Sequence, residues 1–158
     1  MKNIITLLQE ELSAAFEKAG YEQKYAKVTL SNRPDLCQYQ CNGALAAAKQ
    51  YHKAPIQIAN EVVEKLEDSS TFKEIVAQMP GFINMTVSDA FLADFVNHMN
   101  EDELFGCDKA DKPETIVIDY GGANVAKPLH VGHLRSAVIG ESIKRTARYL
   151  GHKVVGDV

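Results

Sequence analysis

The sequence has few cysteines, prolines and glycines: 3, 5 and 10 in 158 residues. The three cysteines, Cys37, Cys41 and Cys107, are an odd number without the dense spacing of a disulfide scaffold, which favours reduced, partly buried thiols. A Cys-x3-Cys pair without further ligands is weak support for a metal site, and we predict none. With 46% hydrophobic and 24% charged residues, the composition is typical of an intracellular globular protein.

Long apolar runs are also missing. No segment has the length of apolar sequence that a transmembrane helix requires. The N-terminus, residues 1–5, leads into an acidic amphipathic segment and not into a long apolar core, so it does not resemble a signal peptide. We therefore expect a cytoplasmic protein without a membrane partner.

The chain lacks an excess of positive charge. Its net charge is −4; residues 1–110 carry ten basic and sixteen acidic residues, and residues 111–158 carry seven and five. The first part is therefore not a basic clamp for nucleic acid. Any RNA contact there must be a local patch, and its binding should be weak and sensitive to salt.

Hydrophobic periodicity predicts an α+β domain over residues 1–110. Segments with apolar residues at helical spacing take turns along the chain with short strand-like runs. These runs are rich in β-branched residues or switch between apolar and polar residues, and they end in turn residues. Because two of these runs are joined by a tight Met-Pro-Gly turn, we expect helices packed on a small antiparallel sheet, followed by a polar linker. The predicted helices are 2–19, 43–52, 55–66 and 88–99, the strands are 27–30, 38–41, 72–77 and 82–87, and the linker is 100–113.

Residues 111–158 predict the first strand, helix and strand of a Rossmann-like nucleotide-binding domain. The β-branched run 115–120 is typical of a buried parallel strand, and Gly121-Gly122 ends it. Apolar residues then recur at helical spacing from Leu134 to Leu150, and 153–155 begins another strand. One strand, one helix and half a strand cannot close such a domain, so we expect a truncated domain belonging to a longer enzyme.

The start of that helix, His130-Val131-Gly132-His133, predicts a phosphate site. Helix N-termini present unpaired N–H groups and a partial positive charge. His130 and His133 are three residues apart, so both rings can point to one side, and Gly132 permits close approach of a base or ribose. Lys127 adds a mobile cation. Such donors would stabilise charge that grows at the α-phosphorus of ATP.

Two other interpretations of the histidine pair remain open. The rings could be zinc ligands, although no cysteine pair or carboxylate stands nearby at ligand spacing. They could also be incidental residues of a helix cap. The surrounding sequence helps to choose among the three.

Residues 122–136 closely resemble the signature of arginyl-tRNA synthetases. Within that stretch, residues 130–133 are similar to the class I His-Ile-Gly-His motif, with valine in place of isoleucine. The family commonly has Ser-Pro where this chain has Gly122-Ala123. The segments similar to the arginine-specific branch are Asn124, Ala126-Lys127, Leu134-Arg135-Ser136 and Leu150-Gly151-His152.

This resemblance implies roles in ATP binding for four residues. His130 and His133 would bind the ATP phosphates and stabilise the adenylation transition state. Gly132 would leave room for the nucleoside, and Lys127 would assist at the phosphates. ATP is then a substrate, accompanied by Mg²⁺.

The resemblance also implies an arginine site and a tRNA substrate. Asn124 would hold the α-amino or carboxylate end of arginine, and Asp119, at the carboxyl end of the first strand, would lie beside it. This position agrees with the rule that ligands of parallel α/β sheets bind at strand carboxyl ends. The guanidinium pocket and the anticodon-binding helices would lie outside this chain.

Residues 1–110 resemble the appended N-terminal domain of the same family, which contacts the D-loop corner of tRNA. Segments 35–42 and 81–84 carry this similarity. Tyr39, Gln40 and Asn42 could stack on an unpaired base and hydrogen-bond to it. Alternatively, they pack and pair within the sheet as ordinary strand residues.

Three functions are compatible with these observations. The resemblance implies an enzyme that joins arginine to ATP as arginyl-adenylate, releases pyrophosphate and transfers the arginyl group to its tRNA. Residues 1–110 could instead act as a free-standing reader of the tRNA corner. Another nucleotidyltransferase with a His-x-Gly-His loop is the third possibility, but it would not need the segment 124–127. We expect the chain alone to be inactive in aminoacylation.

Overall fold

The structure, a computed structural model, describes residues 2–123 and 126–157 and divides into two compact units. One unit comprises Lys2–Glu101, and the other begins at Asp102. Within the described ranges, no helix is both long and apolar enough to cross a membrane.

The N-terminal unit has helices and a four-stranded antiparallel sheet, as predicted. Its elements are α1 Ile4–Lys18, β1 Val28–Leu30, β2 Tyr39–Cys41, α2 Gly43–Tyr51, α3 Pro55–Val63, β3 Phe72–Gln78, β4 Phe82–Val87 and α4 Asp89–Glu101. The strand order in the sheet is β1-β2-β4-β3. Short 3₁₀ turns follow α1 and α3, at Gln23–Tyr25 and Glu64–Leu66.

Local side chains determine where these helices begin and end. The Asn3 Oδ1 accepts a hydrogen bond from the Thr6 amide at 2.9 Å and caps α1, which ends just before Gly20 at φ +86°. The Ser88 Oγ caps α4 by accepting from the Phe91 amide at 3.1 Å, as its position in the sequence predicted. Residues 55–66 form α3 and then a 3₁₀ turn in place of one continuous helix.

The core of this unit lies between the helices and one face of the sheet. Apolar residues at helical spacing on α1 and α3 pack against the strands. The strand residues in this contact are those whose side chains point to the core face of the sheet. Complete burial of each large aliphatic or aromatic side chain contributes roughly 1.5–3 kcal/mol to folding. The largest fully buried side chains are Phe16, Leu8, Leu12, Ile58, Ile83, Met85, Val62 and Cys41.

The start of α2 packs directly against the backbone of the preceding 3₁₀ turn. A Cβ added to Gly43 would lie 1.8 Å from the Tyr25 carbonyl oxygen. The Cys41 thiol donates to that oxygen at 3.4 Å and accepts from the Gly43 amide at 3.3 Å. Burial raises the pKa of Cys41 to about 11, so this thiol stays protonated as a donor at neutral pH.

The second unit is a parallel strand-helix-strand unit, which confirms the predicted Rossmann-like start. It consists of β5 Thr115–Asp119, α5 Val131–Tyr149 and β6 Lys153–Asp157. The strands pair in parallel from Thr115 with Lys153 through Asp119 with Asp157. The site predicted from the sequence therefore lies at the carboxyl end of β5 and the N-terminus of α5.

The two sides of α5 differ in exposure. Gly140 is the residue of this helix that is buried, and Lys144 is half-buried. The apolar side chains Leu134, Val138 and Ile143 are instead 61%, 55% and 53% exposed. The described part of the second unit thus covers the small and polar side of α5 and leaves apolar side chains open to solvent.

Candidate functional site

His130 and His133 form the N-terminal cap of α5, at the place that the sequence predicted. The His130 Nδ1 accepts a hydrogen bond from the Gly132 amide at 3.1 Å. The His133 Nδ1 accepts from the His130 amide, also at 3.1 Å. The two rings thus satisfy backbone N–H groups that a helix start otherwise leaves unpaired. The structure thus agrees with the helix cap that was one interpretation of the sequence, and the phosphate role stays a prediction.

These hydrogen bonds assign the tautomer of both rings. In a neutral imidazole, one nitrogen accepts and the other carries the proton. Because Nδ1 accepts in both His130 and His133, the proton lies on Nε2 in each. The ring centroids are 4.0 Å apart with an angle of 44° between the planes. Capping and ligand binding are therefore compatible, since each ring uses a different nitrogen for each task.

Gly132 makes room for the first of these rings. A Cβ at this position would lie 2.9 Å from Cε1 and 3.1 Å from Nδ1 of His130. The sequence suggested that a glycine here permits close approach of a ligand. The structure adds that the glycine permits close approach of the capping ring itself.

An open cleft of about 490 Å³ lies next to the two rings. This volume is within the range of small-molecule sites. The cleft adjoins both the turn that follows β5 and the first turns of α5. Its lining residues are Gly121, Leu129, His130, Val131, His133, Leu134 and Ala137.

Asp119 and Lys127 are the other described residues that were predicted to bind arginine or ATP. Asp119 is exposed at the carboxyl end of β5, and Lys127 is exposed in the segment before α5. The structure describes both Asp119 and Lys127, and neither of them lines the cleft. Asn124 lies outside the described residues.

A polar cluster that sequence reasoning missed lies between the end of β5 and α5. The Tyr120 hydroxyl donates to the Glu141 Oε2 at 2.5 Å and accepts from the Lys144 Nζ at 2.6 Å. Hydrogen bonds from Lys144, Tyr120 and Arg145 lower the pKa of Glu141 to about 2, so it is ionised at neutral pH. Glu141 and Lys144 are three positions apart on α5, which is a spacing at which helical ion pairs form, but nothing in the sequence linked them to Tyr120.

Another cleft, of about 320 Å³, lies in the N-terminal unit, on the face of the sheet opposite the core. Gln40 and Asn84 are register partners there, and the Gln40 Nε2 donates to the Asn84 Oδ1 at 2.9 Å. Residues of the 31–37 loop and of the β3–β4 turn complete it. The lining residues are Ser31, Asn32, Arg33, Leu36, Cys37, Gln40, Gln78, Met79, Phe82 and Asn84.

Only one of the three predicted tRNA residues lines this cleft. Gln40 does, whereas Tyr39 packs against the core and Asn42 is exposed at the start of α2. Phe82 and Asn84 were not selected from the sequence as site residues. Strand alternation could have selected them, because both flank Ile83, whose spacing assigns it to the core face.

Two family models match the chain. Residues 2–87 match the N-terminal domain of arginyl-tRNA synthetases, and residues 95–157 match the catalytic domain of class I arginine-type tRNA synthetases. The first match covers more than half of the chain.

Curated proteins and solved structures agree with these matches. An arginine–tRNA ligase of Agathobacter rectalis is 58% identical over the whole chain, and one of Alkaliphilus oremlandii is 59% identical over 96% of it. The chain spans 27% of each of these relatives. Arginyl-tRNA synthetases of Plasmodium falciparum and Thermus thermophilus share the fold over 98% of the chain, with TM-scores of 0.59 and 0.51 at 24% and 23% identity, and it covers 30% and 25% of them. The chain therefore belongs to the arginyl-tRNA synthetase family.

Proposed function

We propose that this chain is the N-terminal part of a cytoplasmic arginine–tRNA ligase. Residues 1–110 would be the appended tRNA-recognition domain, and residues 111–158 the start of the catalytic domain. The full-length enzyme would activate arginine with ATP and transfer it to arginine tRNA. The observation that carries this proposal concerns His130 and His133, which both line the cleft at the α5 N-terminus. Each ring caps the helix through its Nδ1, so its Nε2–H is available to donate to a ligand.

These donors suit the activation step. When the arginine carboxylate attacks the α-phosphorus of ATP, negative charge grows on the phosphoryl oxygens. The Nε2–H groups of His130 and His133 and the partial positive charge of the helix start are fixed in place before this happens. Because the caps hold the rings, little reorganisation is needed in the transition state. Lys127 would add a mobile positive charge at the phosphates, and Mg²⁺ would bind through them.

The carboxyl end of β5 would bind arginine. Asp119 is exposed there, and a carboxylate at a strand end suits the α-ammonium group of an amino acid. The resemblance assigns Asn124 to the same substrate. The attacking carboxylate would then approach from the β5 side, and the ATP phosphates would lie at the α5 N-terminus.

The cleft on the N-terminal sheet would bind an unpaired base of the tRNA D-loop. The amides of Gln40 and Asn84 can both donate and accept, and the ring of Phe82 can stack on a base. Arg33 at the same cleft already pairs with Asp35 at 2.7 Å, which limits its attraction for phosphate. Stacking and hydrogen bonding would therefore contribute more here than charge.

Aminoacylation tests the proposed activity. We expect the full-length enzyme to charge arginine tRNA with arginine and to reject lysine. The 158-residue chain alone should show no charging above background, because correct positioning of both substrates needs the rest of the pocket. The measurement is incorporation of radiolabelled arginine into tRNA. Turnover by the chain alone, or no turnover by the full-length enzyme, would contradict the proposal.

The cleft on the sheet favours a second candidate, a tRNA-corner reader that acts without the catalytic domain. We expect Gln40→Ala to weaken binding of arginine tRNA to the chain by about three- to tenfold, the effect of losing one or two hydrogen bonds. Gln57→Ala, on an exposed position of α3, is the matched control and should have no effect. The measurement is a titration across a salt series with cognate tRNA, a D-loop variant and a non-cognate tRNA. Equal binding of all three would reject independent reading of the D-loop.

A further inference from the structure

The ring of Tyr120 lies between two glycines of α5 and β6. A Cβ on Gly140 would lie 2.2 Å from Cγ of this ring, and a Cβ on Gly156 would lie 3.3 Å from its Cε1. The backbone is held as well, since the Tyr120 amide donates to the Asp157 carbonyl at 3.0 Å. The ring is therefore in close contact with both the helix and the neighbouring strand.

The hydroxyl of Tyr120 is held by two charged side chains of opposite sign. Lys144 donates to it, and Glu141 accepts from it. These two side chains also pair with each other at 2.5 Å and are only 15% and 34% exposed. The Lys144 Nζ lies 5.3 Å from the centre of the tyrosine ring. A closed triangle of hydrogen bonds of this kind restrains the ring in one position.

Tyr120 stands between two residues of the proposed site. Asp119 precedes it at the strand end, and Gly121, at φ +84°, follows it and lines the cleft. We propose that Tyr120, held by Glu141 and Lys144, is a positioning residue that sets the place of Asp119 and Gly121 in the substrate site. The inference rests on the proposed function, because the substrates are those of an arginine–tRNA ligase. In this role Tyr120 acts through its chain neighbours.

Arg145 provides a matched control on the same carboxylate. Its Nε donates to the Glu141 Oε1 at 2.8 Å, whereas Tyr120 and Lys144 use Oε2. The Arg145 side chain is 79% exposed. Arg145→Met thus removes an ion pair from Glu141 and keeps the triangle.

Hydrogen exchange in the full-length enzyme tests, independently of activity, whether Tyr120 holds the segment that follows β5. We expect Tyr120→Phe, which removes only the hydroxyl, to raise amide exchange in peptides covering residues 119–123 by about five- to tenfold. Lys144→Met should have the same effect, Lys144→Arg should restore most of the protection, and Arg145→Met should match the wild type. The readout is deuterium uptake measured by mass spectrometry.

Kinetics of the same variants test the positioning role. Tyr120→Phe should lower kcat/KM for arginine by about tenfold and leave the KM for tRNA within about twofold. Lys144→Arg should recover most of the loss. Unchanged exchange and unchanged kcat/KM in Tyr120→Phe would overturn the proposal, and so would equal losses for all substrates together with a lower melting temperature. If the wild type does not charge tRNA with arginine, the proposed function fails, while the exchange data still decide whether Tyr120 holds the segment.

Discussion

Replacement of His133 by alanine in the full-length enzyme is expected to slow arginine activation by about 10²- to 10³-fold, the usual effect of removing one preorganised donor to a developing anion. The change removes the Nε2–H donor. It also removes the acceptor for the His130 amide, which loosens the cap of α5. Arginine binding should change much less, because the lost interaction is strongest in the transition state. Pyrophosphate exchange at varied arginine and ATP concentrations measures both effects.

Two further substitutions separate the donor from the cap. Asparagine at position 133 places an acceptor near the position of Nδ1, and glutamine places a donor near the position of Nε2. We therefore expect His133→Asn to keep the helix cap and remain slow, and His133→Gln to recover part of the rate. Equal losses in rate and in arginine binding for all three variants, or full rescue by asparagine, would show a purely structural role.

Substitution of Gly43 by alanine is expected to destabilise the N-terminal unit by about 3 kcal/mol or more, since the added methyl group overlaps a backbone carbonyl that cannot rotate away. That carbonyl belongs to Tyr25 and already accepts from Cys41 and from the Lys27 amide. Helix propensity alone predicts the opposite sign, a gain of up to about 1 kcal/mol. Urea unfolding followed by near-ultraviolet circular dichroism of the tyrosines measures the result.

Ala46→Gly is the control for Gly43→Ala. Ala46 is exposed on the same helix, so the reverse change there should cost only about 1 kcal/mol through propensity. A Gly43→Ala variant as stable as the wild type would mean that α2 and the 3₁₀ turn do not approach as closely as described.

The helices and strands could be predicted from the sequence because their signals are local. Alternation of apolar residues located β4, Ser88 marked the start of α4, and Pro55 marked the first turn of α3. The boundary between α3 and its 3₁₀ turn at Glu64 could not be predicted. Its hydrophobic pattern is the same for both conformations, and only packing distinguishes them.

The candidate site could be predicted in position but not in detail. The spacing of His130 and His133 located a helix start, and one helical turn placed both rings on one side. Their use of Nδ1 for capping, and hence the proton on Nε2, depends on ring orientations that sequence spacing does not specify. Contacts between distant residues were equally out of reach: Tyr120 and Glu141 are 21 positions apart, and Gln40 and Asn84 are 44 apart.

The closed core of the N-terminal unit bears on how the protein emerges from the ribosome. Among the described residues, the buried side chains of that core lie between Leu8 and Val87, and the partly buried side chains packed on them extend only to Leu92, so the unit can fold while later parts are still being translated. α5 follows with Leu134, Val138 and Ile143 exposed to solvent. A nascent chain whose α5 has just left the ribosomal exit tunnel would present a folded domain followed by an exposed apolar surface, which is the kind of segment that chaperones bind and that aggregates when they are absent.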